Sequence, residues 1–165
     1  MRLPILIRAT AIACRAARPA TVTWVLVGCA ALWPVLAIAR VPPGQTSVWD
    51  GVYTDKQADR GRSQYQDNCS RCHGEDMAGK GDAPGLAGDQ FMFSWGEKTL
   101  ADLYSRIQTS MPTTAPGSLS VQAYVDIVAY LLQANKFRAG DEELPGDPAR
   151  LQSLNIARSA PAAKR

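Results

Sequence analysis

The chain has 165 residues, 18 of them basic and 15 acidic, a length that suits one domain with extensions. The net charge of +3 belongs to the N-terminus. Arg2, Arg8, Arg15 and Arg18 are the charged residues of the first 39, and beyond them 14 basic residues face 15 acidic ones, so the basic balance gives no reason to expect a nucleic-acid partner.

Residues 1–39 have the build of a secretion signal: a basic n-region, an apolar run over 21–39, and Ala37-Ile38-Ala39 as an A-x-A cleavage site. The mature chain is then expected to start at Arg40, in the periplasm. No paired arginines precede the run, which points to the general secretory route. Two other readings stay open. The run is just long enough to span a membrane uncut, and Leu26-Val27-Gly28-Cys29 has the form of a lipoprotein cleavage box.

Residues 40–53 are expected to form a linker, beginning with the turn-rich Val41-Pro42-Pro43-Gly44 and ending in a patch where Trp49 and Tyr53 tether it to the body. Thr54-x-x-Gln57 has the form of a capping box, so a helix is expected over 55–67, with Gly61 and Tyr65 on one face. Glycine within a helix costs roughly 1 kcal/mol, and close approach of a second helix would explain Gly61.

That helix leads into Cys69-Ser70-Arg71-Cys72-His73, a C-x-x-C-H spacing that reads as c-type haem attachment. The two thiols lie about one helical turn apart, with a rise of roughly 4.5 Å over three residues, so both can form thioethers with one porphyrin while His73 offers an imidazole to the iron. Cys14 and Cys29 fall in the N-terminal stretch and His73 is the single histidine, so three Cys/His ligands remain where a structural zinc site needs four. A thioredoxin-type redox pair would require a βαβ context. A plain disulfide is possible in an exported chain but leaves His73 without a role.

Gly74, Gly79, Gly81, Gly85 and Gly88 then predict a wrapping loop. Pro84 lies in it, placed to accept a hydrogen bond from the second ring nitrogen of His73, which would orient the imidazole. Phe91 and Trp95 precede a second helix capped by Thr99, whose Leu100, Leu103, Tyr104 and Ile107 recur on one face. In a haem protein that face is also the cofactor wall, and Trp95 and Arg106 are candidate propionate partners. Pro112 ends the helix and biases Met111 toward an extended backbone, which makes its soft thioether the favoured distal iron ligand. Met77 stands too close to His73 to reach the opposite face of the ring, and Met92 lies between Phe91 and Phe93 as packing. Ser120 is expected to cap a last helix to about Asn135 with a buried stripe of Tyr124, Ile127, Val128 and Leu131. Leu119 and Tyr124 sit at hydrophobic-staple positions. Residues 139–155 are expected over the surface, and 157–165 to be disordered.

In this order of features, closed by Ile127-Val128-Ala129-Tyr130-Leu131, the chain resembles the class I cytochromes c over residues 51–135. The resemblance implies an all-α cytochrome c fold, with three to four helices and loops around one covalent haem c, over a domain of about 54–138 followed by an extension of 139–165. It implies thioethers at Cys69 and Cys72, axial His73 and Met111, and Pro84 bonded to His73; Leu86, in Pro84-x-Leu86, and Ile107 are further expected haem contacts, while Trp95 and Arg106 rest on their chemistry alone. It also implies that Gly61 and Tyr65 meet the last helix near Ile127 and Tyr130. Trp95-Gly96, Thr99-Leu100-Ala101-Asp102-Leu103, Ser110-Met111-Pro112 and Pro116-Gly117-Ser118-Leu119 are similar to cytochrome domains associated with bacterial quinoprotein dehydrogenases. That similarity implies an electron carrier or the electron-transfer subunit of an oxidoreductase, not itself an enzyme, between a periplasmic quinoprotein-type dehydrogenase and an acceptor such as a cytochrome or terminal oxidase. The alternative is a haem enzyme or sensor in which the distal methionine is labile or absent.

Overall fold

A computed structural model describes residues 46–160; the stretch read as a secretion signal, the first residues of the expected linker and residues 161–165 lie outside the described residues. The described chain is helical, with isolated β-bridges in place of strands. After a single 3-10 turn at Val48–Asp50 come α1 (Asp55–Asn68), α2 (Ser70–His73), α3 (Gly88–Trp95), α4 (Leu100–Ser110), α5 (Val121–Ala134) and α6 (Pro148–Gln152). The three helices read from the sequence are α1, α4 and α5, and the helical fold agrees with that reading.

Local chemistry explains the helix starts. The hydroxyls of Thr54, Thr99 and Ser120 accept from the backbone N–H groups of Gln57, Asp102 and Ala123 at 3.1, 3.2 and 3.1 Å, each satisfying a donor that the first turn leaves free. Asp102 completes the capping box by accepting from the Thr99 N–H at 2.9 Å. The box expected at Thr54 is only half formed. Gln57 is fully buried and turns away from its own cap: its side-chain amide donates to the Leu144 carbonyl at 2.9 Å and accepts from the Leu144 N–H at 2.8 Å.

α1 and α5 form the main helix pair, and Gly61 is where they cross. A Cβ there would lie 1.8 Å from the Asp126 carbonyl oxygen and 2.9 Å from the Tyr130 Cβ, so only glycine lets the backbones approach this closely. Around the crossing Tyr65 meets Tyr130 edge-on at 5.6 Å, and the Arg62 guanidinium lies 5.5 Å from the Tyr130 ring centre. Arg60 holds Asp126 through Nε at 2.9 Å and Nη2 at 3.0 Å, and also reaches Glu143 at 2.8 Å. These hydrogen bonds to both carboxylates push the Arg60 pKa up.

The expected linker and extension both enter the core. Val48, Val52 and Tyr53 from one, and Leu144, Leu151, Leu154 and Ile156 from the other, are buried with Leu100, Leu103, Val128 and Leu132. Residues 139–155 therefore do not simply lie over the surface. Their leucines are dispersed among prolines, glycines and acidic residues, which hides the apolar pattern but not its burial energy of about 1.5–3 kcal/mol per side chain. The first segment is tied down as anticipated for Trp49 and Tyr53: Trp49 Nε1 donates to Ala157 O at 2.9 Å, and the Tyr53 hydroxyl to Phe137 O at 2.5 Å.

Candidate haem-binding site

Between α2, the glycine-rich loop, α4 and α5 lies a cavity of about 680 Å³, lined by Cys69, Cys72, His73, Pro84, Leu86, Trp95, Arg106, Ile107 and Met111. Those nine are the residues expected there from the sequence, and the fold brings all of them to one cavity. Leu103, Ile127 and Leu131 complete the apolar wall, because the inward stripes of α4 and α5 face it. Trp49, Tyr53, Met77 and Met92 are not among the lining residues.

The His73 end is built by short-range folding. Asn68 ends α1, and Cys69 breaks the helix with φ −125° and ψ −37° before the single turn of α2 carries Cys72 and His73 round. His73 is 7% exposed and its Nδ1 lies 2.8 Å from the Pro84 carbonyl oxygen. A carbonyl can only accept, so Nδ1 carries the proton and Nε2 keeps its lone pair free for a metal. The Tyr65 hydroxyl donates to Gly74 O at 2.7 Å, and the buried Tyr65 side chain has its pKa raised, first by desolvation and then by Cys69.

The loop carrying Pro84 is folded on itself. Gly79 N–H donates to His73 O at 2.9 Å and Leu86 N–H to Met77 O at 2.8 Å. A Cβ at Gly79 would meet the Ala83 oxygen at 2.6 Å, and its φ is +84°, so this position requires glycine. Asn135 at the end of α5 secures the loop exit: Nδ2 donates to Leu86 O at 3.0 Å and Oδ1 accepts from Gly88 N–H at 2.9 Å. An asparagine after a helix signals a cap, but nothing local in the sequence says that it will reach residues 86–88.

Across the cavity, Met111 ends α4 with φ −127° and ψ 148°, the extended backbone that Pro112 was expected to impose. Its N–H donates to Ile107 O at 2.9 Å and its carbonyl accepts from the Tyr124 hydroxyl at 2.9 Å. Trp95 closes α3, with Lys98 Nζ 5.0 Å from its ring centre, and Arg106 stands exposed at the rim. The loop expected through Gly88 gives way at that residue to α3, which buries Phe91 and leaves Phe93 83% exposed.

These residues fit a haem. The volume lies within the roughly 300–1,000 Å³ of small-molecule and cofactor sites, the walls are largely apolar with charged and polar side chains such as Arg71, Asp82 and Arg106 among them, and the groups suited to thioether formation or iron are two thiols, one oriented imidazole and one thioether. Burial, followed by the neighbouring Cys72, pushes the Cys69 thiol up to about 11. That is opposite in sign to the depressed thiolate of a redox-active C-x-x-C pair, and it suits a sulfur set in an apolar wall.

Fold and site together have the features of a c-type cytochrome, and the sequence holds one C-x-x-C-H motif, enough for one haem. Residues 56–131, from the start of α1 through both sides of the cavity into α5, match the family model for cytochrome c oxidase, cbb3-type, subunit III. Among solved structures, the sulfane dehydrogenase SoxCD from Paracoccus pantotrophus is similar at 23% identity and a TM-score of 0.47, over 73% of this chain and 68% of that one. No curated protein matches.

Proposed function

We propose that the protein is an exported electron carrier. In this reading Cys69 and Cys72 hold one haem c by thioethers, His73 and Met111 are its axial ligands, and electrons pass from a periplasmic dehydrogenase, of the quinoprotein type, to an acceptor cytochrome or terminal oxidase. The observation that carries it is the placement of His73 and Met111 on the wall of one apolar cavity beside both cysteines. When bound, the haem supplies a one-electron Fe(III)/Fe(II) couple.

The chain's own residues account for the rest. Pro84 fixes the His73 tautomer and ring plane through Nδ1. The Met111 thioether, holding the iron together with His73, would favour the reduced state and would leave no open site for a substrate. Leu86, Leu103, Ile107, Ile127 and Leu131 exclude water and keep the surroundings similar in both charge states, while Trp95 and Arg106 are placed to meet the propionates. The match to a subunit of a cytochrome c oxidase supports a place in a respiratory chain, and docking with donor and acceptor belongs to the small, transient class of interfaces. The motif, the basic and apolar leader and its A-x-A site support export by the general secretory route.

Carbon monoxide titration of the reduced protein, together with redox titration of Met111→Ala, tests the reading. The wild type is expected to bind carbon monoxide poorly at neutral pH, and Met111→Ala to bind it readily with a lowered potential. Rapid binding by the wild type would replace the carrier with a haem enzyme or a sensor.

A further inference from the structure

Met111 is attached to an unusual loop. Residues 113–118 are mostly exposed, and their backbone bonds, Ala115 N–H to Pro112 O at 2.9 Å and Ser118 N–H to Ala115 O at 3.3 Å, stay within the loop. Pro112 has no N–H to contribute. What fastens the loop to the body is one phenol. The Tyr124 hydroxyl donates to the Met111 carbonyl at 2.9 Å and accepts from the Leu119 N–H at 3.4 Å, so one oxygen joins both ends of the loop.

Tyr124 is itself held firmly. It is 1% exposed, it stands on the first turn of α5 above the Ser120 cap, and the Tyr104 ring of α4 meets it edge-on at 6.4 Å and 83°. α4 therefore supplies the residue that presents Met111 and also the ring that immobilises the tyrosine gripping it. We propose that Tyr124 is a positioning residue for the sixth iron ligand: it fixes the Met111 backbone against the cavity and so sets how readily the thioether yields its place. This rests on the reading of Met111 as the distal ligand.

Removal of the hydroxyl would leave the Met111 carbonyl with the solvent and the loop hinged on the Ile107 bond alone. A ligand that competes with Met111 for ferric iron then has less to displace. The experiment is equilibrium titration of the oxidised holoprotein with imidazole, following the shift of the Soret band in every variant and, where Met111 is present, the loss of the methionine-to-Fe(III) charge-transfer band. Four variants are compared with wild type: Tyr124→Phe, Met111→Ala, the double variant, and Tyr53→Phe, which removes a buried phenol hydroxyl bonded to Phe137 outside the cavity lining.

Tyr124→Phe is expected to raise imidazole affinity about three- to tenfold, the effect of one lost hydrogen bond. Met111→Ala should raise it much further, and adding Tyr124→Phe to Met111→Ala should change it by less than about twofold, since the two act through one side chain. Tyr53→Phe should leave the affinity as in wild type. A wild-type affinity in Tyr124→Phe, with Met111→Ala raised, overturns the positioning role and leaves the ligand assignment standing. An unchanged affinity in Met111→Ala overturns the ligand assignment and the positioning role with it. Equal increases in Tyr53→Phe and Tyr124→Phe, or a full additional increase in the double variant, would mean general loosening and also overturn the proposal.

Discussion

Gly61→Ala puts the helix crossing under direct test. The added methyl would sit 1.8 Å from the Asp126 carbonyl oxygen and 2.5 Å from its carbon. Both are backbone atoms inside α5, so no side-chain rotation relieves the clash. Restoring a van der Waals separation of about 3.5 Å requires α1 and α5 to part by about 1.7 Å. Helix propensity favours the alanine by roughly 1 kcal/mol, but overpacking typically costs about 1–3 kcal/mol, and more against rigid backbone. Parting the helices also loosens the Tyr65–Tyr130 contact and the Arg60–Asp126 pair. A net loss of about 2–3 kcal/mol follows, which in a body of this size lowers Tm by about 10 °C. Urea and thermal unfolding of the holoprotein measure it. A midpoint equal to or above that of wild type would show that the crossing is not limited by backbone contact and would refute the reasoning.

Two further substitutions probe the buried polar ties. Gln57→Leu keeps the volume but leaves both backbone groups of Leu144 unpaired, an expected loss of about 2–4 kcal/mol; amide exchange should accelerate first at Leu144, and exchange as slow as wild type there would contradict the tie. Burial, with Asp55 second, pushes Tyr53 up to about 12 from its ordinary 10, so the folded state prefers the neutral phenol. Its contribution is fully present below pH 10 and is lost as pH rises through about 12. Tyr53→Phe should flatten the alkaline fall in stability over that window, and an unaltered slope in pH-dependent denaturation would assign the fall to other groups.

Local signals carried much of this structure in the sequence. Thr54, Thr99 and Ser120 announce helix starts through chemistry confined to one turn, Pro112 dictates the backbone of its predecessor, and a glycine in mid-helix points to a crossing. The cavity was legible because Cys69, Cys72 and His73 are contiguous and because the stripes of α4 and α5 repeat at helical spacing. What stayed hidden is non-local. Gln57 has a short-range option, completing its own cap, and takes the distant one at Leu144, where two buried backbone groups would otherwise go unpaired. α3 begins at Gly88 with φ +66° after Ala87, which offers no side-chain cap, so its start has no signature. The grips of Asn135 and Tyr124 on the two loops follow from where α5 ends and begins in space, which spacing along the chain does not encode.

The two outer segments are stitched to each other as well as to the core. Val48 N–H donates to Asn155 O at 3.0 Å and Asn155 N–H to Thr46 O at 2.9 Å, making Ser47 and Asn155 parallel bridge partners. This seam closes a loop containing every helix of the described residues and the whole cavity, and the entropy of closing a loop grows only with the logarithm of its length, about 0.6 kcal/mol per doubling. Insertions in the exposed loop at 113–118 therefore add little to the cost of closing the seam. Cutting the backbone there and joining the two stitched segments by a linker that doubles back, as parallel partners require, would make the seam covalent, so the fold is a candidate for circular permutation.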